Sequence, residues 1–200
     1  MTPTHLLKGA LGHRCGVASL AIGLIASTIA AGQDPVHPTV PFDRSLYEHW
    51  IDEDNDCQDT RQEVLIAESV VPVTLDYAGC RVLTGRWLDP YTGQIVSDWT
   101  RLHIDHLVPL AEAHRSGADL WDTDRKRAFA NDLGDPRSLV AVTGGTKTSK
   151  SDRDPAGWLP PGSRFHCEYV QRWVLVKTTW DLSMDVLEEE KIREILRNCP

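Results

Sequence analysis

The chain has 200 residues, with 21 Lys and Arg against 29 Asp and Glu, and a formal net charge of −8 at pH 7. Proteins that hold nucleic acid by overall charge are usually basic, so this balance excludes that mode and leaves a local basic patch or a bound cation. The length is sufficient for one domain with a hydrophobic core.

The first 32 residues have the pattern of a secretory signal peptide. Lys8 and Arg14 precede an uncharged run, CGVASLAIGLIASTIAAG at 15–32, which ends in small residues. The alternative is an uncleaved anchor, but the run is rich in Ala, Gly and Ser and falls short of the ~20 strongly apolar residues of a spanning helix. Cleavage leaves 19 basic against 29 acidic residues. The pattern predicts a secreted protein without stable membrane association.

The rest of the chain predicts one α+β domain. Residues 33–41 contain three prolines and predict an extended tether before a single domain over 42–200. Apolar spacing and capping residues predict helices in 42–51, 57–70, 109–117, 122–134, 164–182 and 183–199. A β-hairpin with its turn at DPYTG is predicted in 80–99, and short strands in 102–108 and 138–145. Residues 146–161 predict a polar segment that leads into a Pro-rich loop.

Four of the five cysteines follow the predicted signal peptide, at Cys57, Cys80, Cys167 and Cys199. None forms a C-x-x-C pair, which argues against a zinc knuckle. An even number of cysteines in an exported chain predicts two disulfides, for which three pairings are possible. The pairs Cys57–Cys80 and Cys167–Cys199 are favoured, because each closes a moderate loop within one half of the chain.

The stretch LHIDHLVPLAEAH at 102–114 places polar residues in a strand that otherwise suits a core. Neutral imidazole is the usual general base near pH 7, and hard cations such as Mg²⁺ prefer oxygen ligands. Asp105 and His106 are therefore candidates for a metal ligand and a base. Adjacent strand residues point to opposite faces, so the two converge only if the strand bends or ends, and Pro109 fits an ending. Half-buried histidines without a chemical role are the alternative.

Three segments, HIDHLVPLAEA, AFANDLGDPRSLVAV and SKSDRDPAGWLPP, together resemble the exported HNH-type nucleases related to the C-terminal domain of the GmrSD restriction enzymes, a family also called DUF1524. The resemblance extends to DNDCQDTRQEVL and GCRVLTGRWLDPYTG and covers nearly the whole chain after the signal. It implies a ββα-metal (HNH, or His-Me finger) core with additional helices and an N-terminal β-hairpin. It also implies a metal-dependent endonuclease.

The resemblance implies roles for individual residues. His106 corresponds to the general base, Asp105 to a metal ligand, and Lys150 to a catalytic residue that faces the substrate phosphate. His103 and Asp152 are further candidate ligands. Mg²⁺ is the first choice of metal, with Mn²⁺ and Ca²⁺ as alternatives.

Two residues depart from the family pattern. Ser138 and Lys147 stand where Asn is expected, and the second Asn is the expected oxygen ligand to the metal. A lysine ammonium only donates, so Lys147 cannot ligate a cation. Three outcomes are open: Lys147 partly replaces the charge of the cation, the metal site is weak, or, as favoured here, a neighbouring oxygen ligates instead, from Thr146, Thr148, Ser149 or Asp152. Lys147 is also a candidate for substrate binding.

Two further features lie in the predicted helix at 122–134. Arg125, Lys126 and Arg127 form a basic run, which is either a solvated face or, in so acidic a protein, the best candidate for phosphate contact. Arg127 is the substrate-binding candidate of this run. Asn131 is a candidate catalytic residue, with a helix cap as the alternative.

The predicted function is a secreted, monomeric endonuclease that hydrolyses DNA, with RNA as a second substrate. We recognise no helix-turn-helix or zinc finger, so little sequence specificity is expected. One alternative is a catalytically weak or inactive nucleic-acid-binding protein on the same fold. Another is a Ca²⁺-stabilised domain, since DEDNDCQDTRQE at 52–63 matches a calcium loop except at Cys57, where Gly is wanted for the turn.

Overall fold

The computed structural model describes residues 40–200, so the predicted signal peptide and all but the last two residues of the predicted tether lie outside the described residues. Within this range the chain forms short strands and longer helices, which confirms the α+β class. The elements, in order, are α1 (Thr60–Glu68), β1 (Thr74–Leu75), β2 (Val82–Thr84), β3 (Trp87–Leu88), β4 (Ile95–Val96), β5 (Leu102–His106), α2 (Leu110–Arg115), α3 (Thr123–Ala130), β6 (Leu139–Thr143), α4 (Gly144–Lys150), α5 (His166–Thr179) and α6 (Val186–Leu196).

Carboxylate side chains begin three of the helices. Asp59 accepts from the amide of Gln62 at the start of α1, and Asp122 accepts from Arg125 at the start of α3. Asp185 forms a capping box with Glu188 at the start of α6. These bonds satisfy amide groups that have no partner inside the helix and so stabilise the helix starts.

The strands form three two-stranded antiparallel sheets, β1–β2, β3–β4 and β5–β6. The predicted hairpin is confirmed for β3 and β4, whose turn places Gly93 at a positive φ of 73°. The first part of the predicted hairpin instead forms β2, which pairs with β1. The sheet that concerns function is β5–β6, where Leu102 to His106 lie opposite Thr143 to Leu139.

The β5–β6 sheet lies between two hydrophobic clusters. Ile104 and Ala141 belong to the cluster that includes Leu65 of α1. Val140 and Val142 belong to the other, which includes Trp173 of α5. Since alternate residues of a strand point to opposite faces, covering both faces explains why β6 is a continuous apolar run, LVAV.

Both predicted disulfides are confirmed. Cys57 is bonded to Cys80, with 5.2 Å between the Cα atoms, and Cys167 to Cys199, with 5.7 Å. The first joins the loop before α1 to the start of β2, and the second joins α5 to the end of the chain after α6. In residues 40–200 every helix is too short or too polar to cross a lipid bilayer.

Two element predictions were wrong in part. Residues 42–51 form only a 3-10 turn, Arg44–Leu46, rather than a helix. Residues 144–145, expected to close the strand and turn at 138–145, and residues 146–150, expected in the polar segment, together form α4. Gly, Thr and Ser are poor helix formers, so local propensity did not reveal α4. Contacts with β5 hold it: the ammonium groups of Lys147 and Lys150 donate to carbonyl oxygens of that strand.

Candidate active site

Asp105 and His106 are the last two residues of β5. Strand β5 ends at His106, three residues before Pro109, as predicted. Both side chains are almost buried, with 3 % of Asp105 and 5 % of His106 exposed. Both line one open cleft of about 380 Å³, together with Lys147 and Asp152. The strand end thus brings two adjacent side chains to the same cleft.

The imidazole of His106 is held in one orientation. Its ring stacks on Trp50 at a centroid distance of 5.7 Å and on Phe129 at 6.4 Å. Its Nε2 lies 2.9 Å from the carbonyl oxygen of Ala130, at the end of α3. A carbonyl only accepts, so Nε2 carries the proton and, in the neutral ring, Nδ1 carries the lone pair. The nitrogen left to accept a proton is therefore Nδ1.

Burial also fixes the charge of His106. Desolvation lowers the pKa of His106 to about 3, partly opposed by the bond to Ala130 and reinforced by the positive charges of Lys147, Arg44 and His49. The ring is therefore neutral near pH 7, which is the state a general base requires.

The carboxylate of Asp105 is held by two donors on one oxygen. Its Oδ2 accepts from the ammonium of Lys150 at 2.8 Å and from the hydroxyl of Tyr91 at 3.1 Å. Burial raises the pKa of Tyr91 well above its usual value, so this hydroxyl stays protonated. Asp89 holds Tyr91 in place, because its buried carboxylate accepts from the backbone of Tyr91 and from Thr143 at the end of β6.

Tyr91 is a site residue that sequence reasoning missed. It lies in the DPYTG stretch, which was interpreted only as turn chemistry, although the family resemblance included that stretch. Trp50 was likewise not assigned to the site. Neither residue carries a local signal of its contact, since each meets the site through tertiary packing.

Lys150 is not where it was predicted. The resemblance implied that it faces the substrate, but its side chain is fully buried. Its ammonium donates to the carbonyl oxygen of His106 at 2.9 Å as well as to Asp105. Lys150 therefore orients the end of β5 from inside the protein and is not positioned to contact a phosphate.

Asn131 occupies a structural position beside the site. It ends α3, is 5 % exposed, and follows Ala130, the residue that bonds His106. Its amide donates to the carbonyls of Glu48 and Arg127 and its carbonyl accepts from Thr60. These contacts agree with the helix-cap alternative and connect α3 to the segment that carries Trp50.

The basic run on α3 is largely committed to intramolecular contacts. Arg125 pairs with Asp181, and Lys126 is buried with its ammonium on the carbonyls of Asp119 and Trp121. Arg127 lies 3.5 Å from Glu48, and it does not line the cleft of His106. The prediction that this run is the phosphate contact is not supported by its position.

A different set of cations surrounds the cleft. Arg44 and Lys147 line it, and both act electrostatically on His106. Arg61 lies beside the same strand and donates to the carbonyl oxygen of Leu102 at 2.9 Å. Burial lowers the pKa of Lys147, and the negative charge of Asp105 opposes that change. These three cations form a local basic patch beside β5 in an acidic protein.

The three predicted metal ligands do not form one cluster. Among residues 40–200 the carboxylate, His and Cys groups that converge closely are Asp52, Asp54 and Asp56, and Asp154, Asp185 and Glu188. Neither group contains Asp105, His103 or Asp152. Asp152 lines the cleft but pairs with Arg115 at 2.7 Å, and His103 is exposed outside it, against Gly144. With two ammonium groups beside Asp105, this donor set does not fit a divalent cation.

The calcium-loop match at 52–63 brings its acidic side chains together on the surface. Asp52 accepts from the backbone amides of Asp56 and Cys57, and Asp56 accepts from Gln58. These bonds explain the loop without a cation, and Cys57 is held in a disulfide. A Ca²⁺-stabilised loop stays an untested prediction.

Comparison with known proteins gives two matches. Residues 59–195 match the family described as the C-terminal domain of GmrSD restriction endonucleases. An uncharacterized secreted protein of Arthroderma benhamiae is 35 % identical over 165 residues, which cover 82 % of this chain and 79 % of that protein. No solved structure matches the chain. The family match spans every element from α1 to α6, including all the residues of the site except those before α1.

Proposed function

The chain belongs to the GmrSD restriction endonuclease C-terminal domain family, and on that premise we propose that it is an extracellular nuclease that hydrolyses phosphodiester bonds, of DNA first and of RNA as a second substrate. The observation that carries the proposal is His106, a neutral, immobilised imidazole with Nδ1 as its accepting nitrogen, beside a carboxylate and a cationic rim. The predicted extracellular localisation is confirmed by the secreted relative and agrees with the two disulfides.

The proposed step is attack of water on phosphorus. Nδ1 of His106 takes one proton from a water molecule while the water oxygen forms a bond to phosphorus. The bond from phosphorus to one ester oxygen breaks, and that oxygen leaves as an alcohol after it takes a proton from solvent. A bound phosphodiester anion raises the pKa of His106 from its low value, so the base becomes stronger when substrate is present.

In this proposal the cationic rim of the cleft, formed by Arg44 and Lys147, binds the substrate phosphate. Arg44 and Lys147 line the cleft, and their charges attract the phosphate and oppose the negative charge that grows in the transition state. These contacts go to phosphate and carry no sequence information. The proposal therefore includes cleavage with little sequence preference. It also takes the active species to be a monomer.

The finer assignment is an HNH-type site. Three features support it: β5 and β6 pair, α4 directly follows β6, and Asp105 and His106 stand at the end of β5. Helices α2 and α3 lie between the two strands in the chain. Mg²⁺, or Mn²⁺ or Ca²⁺ in its place, is what the family resemblance predicts for such a core. The donor set around Asp105 does not fit such an ion, so no step of the proposed reaction passes through a metal.

The test is cleavage of supercoiled plasmid and of a single-stranded RNA by the purified exported chain, with Mg²⁺, with Mn²⁺ and with EDTA. His106→Ala should reduce cleavage by about 10²–10⁴-fold, the usual contribution of a general base. The matched control is His166→Ala, whose imidazole contacts Pro160 away from the cleft. Circular dichroism shows whether each variant is folded.

Equal cleavage by wild type and His106→Ala would contradict the proposed mechanism. A folded wild-type protein that binds plasmid in a gel-shift assay but cleaves neither substrate would support the second candidate, a non-catalytic nucleic-acid-binding protein. The observation that favours this second candidate is the failure of Asp105, His103 and Asp152 to converge.

A further inference from the structure

Asp105 lies beside two ammonium groups that both come from α4. Lys150 contacts Oδ2 of Asp105 at 2.8 Å. Lys147 stands three residues earlier, on the same face of the helix, and donates to the carbonyl oxygen of Ile104, the residue before Asp105. Where the family resemblance implies one divalent cation near this carboxylate, the chain places two lysines.

The two lysines differ in what they can reach. Lys150 is fully buried, and its ammonium is engaged by Asp105 and by the carbonyl of His106. Lys147 is only partly buried and lines the cleft that also exposes Asp105 and His106. Only Lys147 can therefore contact both the cleft and a phosphate bound in it.

The carboxylate oxygens near Asp105 offer few positions to a metal ion. Tyr91 and Lys150 occupy Oδ2 of Asp105, and the carboxylate of Asp152 is paired with Arg115. A divalent cation also meets the repulsion of the Lys147 and Lys150 charges in a partly buried site, where screening is weak. An ammonium group supplies the positive charge and the hydrogen-bond donors without any oxygen ligands.

We infer that the ammonium group of Lys147 replaces the divalent cation in this nuclease, so that phosphodiester hydrolysis proceeds without a metal ion. The inference rests on the proposed function. Lys147 contacts a non-bridging oxygen of the scissile phosphate and stabilises the negative charge that develops there. His106 takes the proton of the attacking water, and the leaving oxygen takes a proton from solvent, so Lys147 keeps its own proton throughout.

A purely structural role for Lys147 is the competing explanation, because its ammonium also satisfies a carbonyl at the edge of β5. The two explanations differ in the conditions under which cleavage occurs. A structural lysine leaves the reaction dependent on added metal, whereas a lysine that replaces the cation makes cleavage independent of chelation.

The experiment measures plasmid nicking by the exported chain in EDTA and in Mg²⁺, for wild type, Lys147→Met, Lys147→Asn and Lys147→Arg. The matched control is Lys191→Met, which removes a surface lysine of α6 far along the chain. Wild type should cleave at the same rate in EDTA and in Mg²⁺. Lys147→Met should lose about 10²-fold or more in EDTA, the usual loss on removing one charge-stabilising donor. Lys147→Arg should keep measurable cleavage in EDTA.

Lys147→Asn restores the residue of the family pattern and should make cleavage dependent on Mg²⁺. A second measurement does not depend on activity: titration of Mn²⁺ by calorimetry should show no binding that depends on Asp105 in wild type, and such binding in Lys147→Asn. Circular dichroism and urea unfolding check that each variant is folded. The comparison of wild-type cleavage in EDTA and in Mg²⁺ does not depend on any variant being folded.

Wild-type cleavage in Mg²⁺ but not in EDTA would overturn the inference and leave the proposed function intact. Mn²⁺ binding to wild type that disappears in Asp105→Ala would overturn it as well, and so would a full rate of Lys147→Met in EDTA. Absence of cleavage under every condition would instead overturn the proposed function, so the two failures are distinguishable.

Discussion

At the scale of single residues, the state of His106 is set by groups distant in sequence. Trp50 and Phe129 fix the plane of the ring, and the carbonyl of Ala130 fixes which nitrogen carries the proton. The same imidazole on an exposed strand would exchange between tautomers and orientations. The residues that hold His106 in place are therefore part of the site, and Asn131 is one of the residues that hold them.

Asn131→Ala tests this support. The substitution removes partners of partly buried backbone groups at Glu48, Ile51 and Arg127 and of the buried hydroxyl of Thr60. We expect the free energy of unfolding to fall by about 2–4 kcal/mol, since buried polar groups are left without partners. Urea unfolding measures this change. Cleavage at a temperature well below unfolding should fall by less than about tenfold.

The control is Asn198→Ala, which removes an exposed amide near the end of α6 and should change the stability little. A variant at Asn131 with wild-type stability and no cleavage would contradict a supporting role. That outcome would support the predicted catalytic role of Asn131.

At the scale of elements, the β5–β6 sheet has two open edges, and charged side chains cover both. On the outer edge of β5, the carbonyl oxygens of Leu102, Ile104 and His106 accept from Arg61, Lys147 and Lys150 respectively. On the outer edge of β6, the amides of Ala141 and Thr143 donate to the carboxylates of Glu68 and Asp89. A two-stranded sheet alone is marginal, and these caps replace the missing neighbouring strands.

Glu68 makes the stability of this sheet dependent on pH. Burial raises the pKa of Glu68 to about 7, and the amide of Ala141 and the charge of Arg172 oppose this only in part. Between its ordinary value of 4.5 and about 7, the folded protein holds a proton that the unfolded chain releases. The stability that Glu68 contributes is therefore fully present below pH 4.5 and is lost as pH rises through 7.

Glu68→Gln keeps an acceptor for Ala141 and removes the titration. We expect the variant to gain about 1–3 kcal/mol of unfolding free energy relative to wild type on going from about pH 4 to about pH 8. Urea unfolding across this range measures the difference. Glu190→Gln, on the exposed face of α6, should follow the wild-type curve, and a curve for Glu68→Gln parallel to wild type would contradict the raised pKa.

At the scale of the whole molecule, one buried lysine joins three helices behind the site. The ammonium of Lys177 in α5 contacts Glu112 of α2 at 2.7 Å and Glu188 of α6 at 2.8 Å, and Lys177 is fully buried. Water does not compete for these contacts, because Glu112 and Glu188 are only 5 % and 1 % exposed. The Cys167–Cys199 disulfide links α5 covalently to the segment that follows α6.

Lys177→Met should destabilise the protein strongly. It leaves two carboxylates buried with one positive partner fewer, so we expect a loss of about 3–5 kcal/mol in urea unfolding near pH 7. Lys191→Met breaks an exposed pair with Glu194 and should cost only about 0–1 kcal/mol. Equal losses of unfolding free energy in the two variants would show that the buried network contributes no more to stability than the exposed pair.

The amino-acid sequence by itself determined the features that depend on local chemistry. Capping carboxylates, turn residues and apolar spacing predicted α1, α3, α5, α6 and the β3–β4 hairpin, because each signal acts within a few residues of its cause. The Asp105–His106 pair at a strand that ends before Pro109 is a local signal of the same kind. The disulfide pairing was predicted from the number of cysteines and the moderate loops that the pairs close, of 23 and 32 residues.

Only the tertiary structure decided what each polar side chain contacts. It placed Lys150 inside the protein, Lys147 in the cleft and Arg127 away from it, and it added Tyr91 and Trp50 to the site. It also formed α4 from a Gly-, Thr- and Ser-rich segment. Such contacts join residues that are distant in sequence, 44 positions for Lys150 and His106 and 14 for Tyr91 and Asp105. No local pattern encodes which distant partner a polar side chain meets.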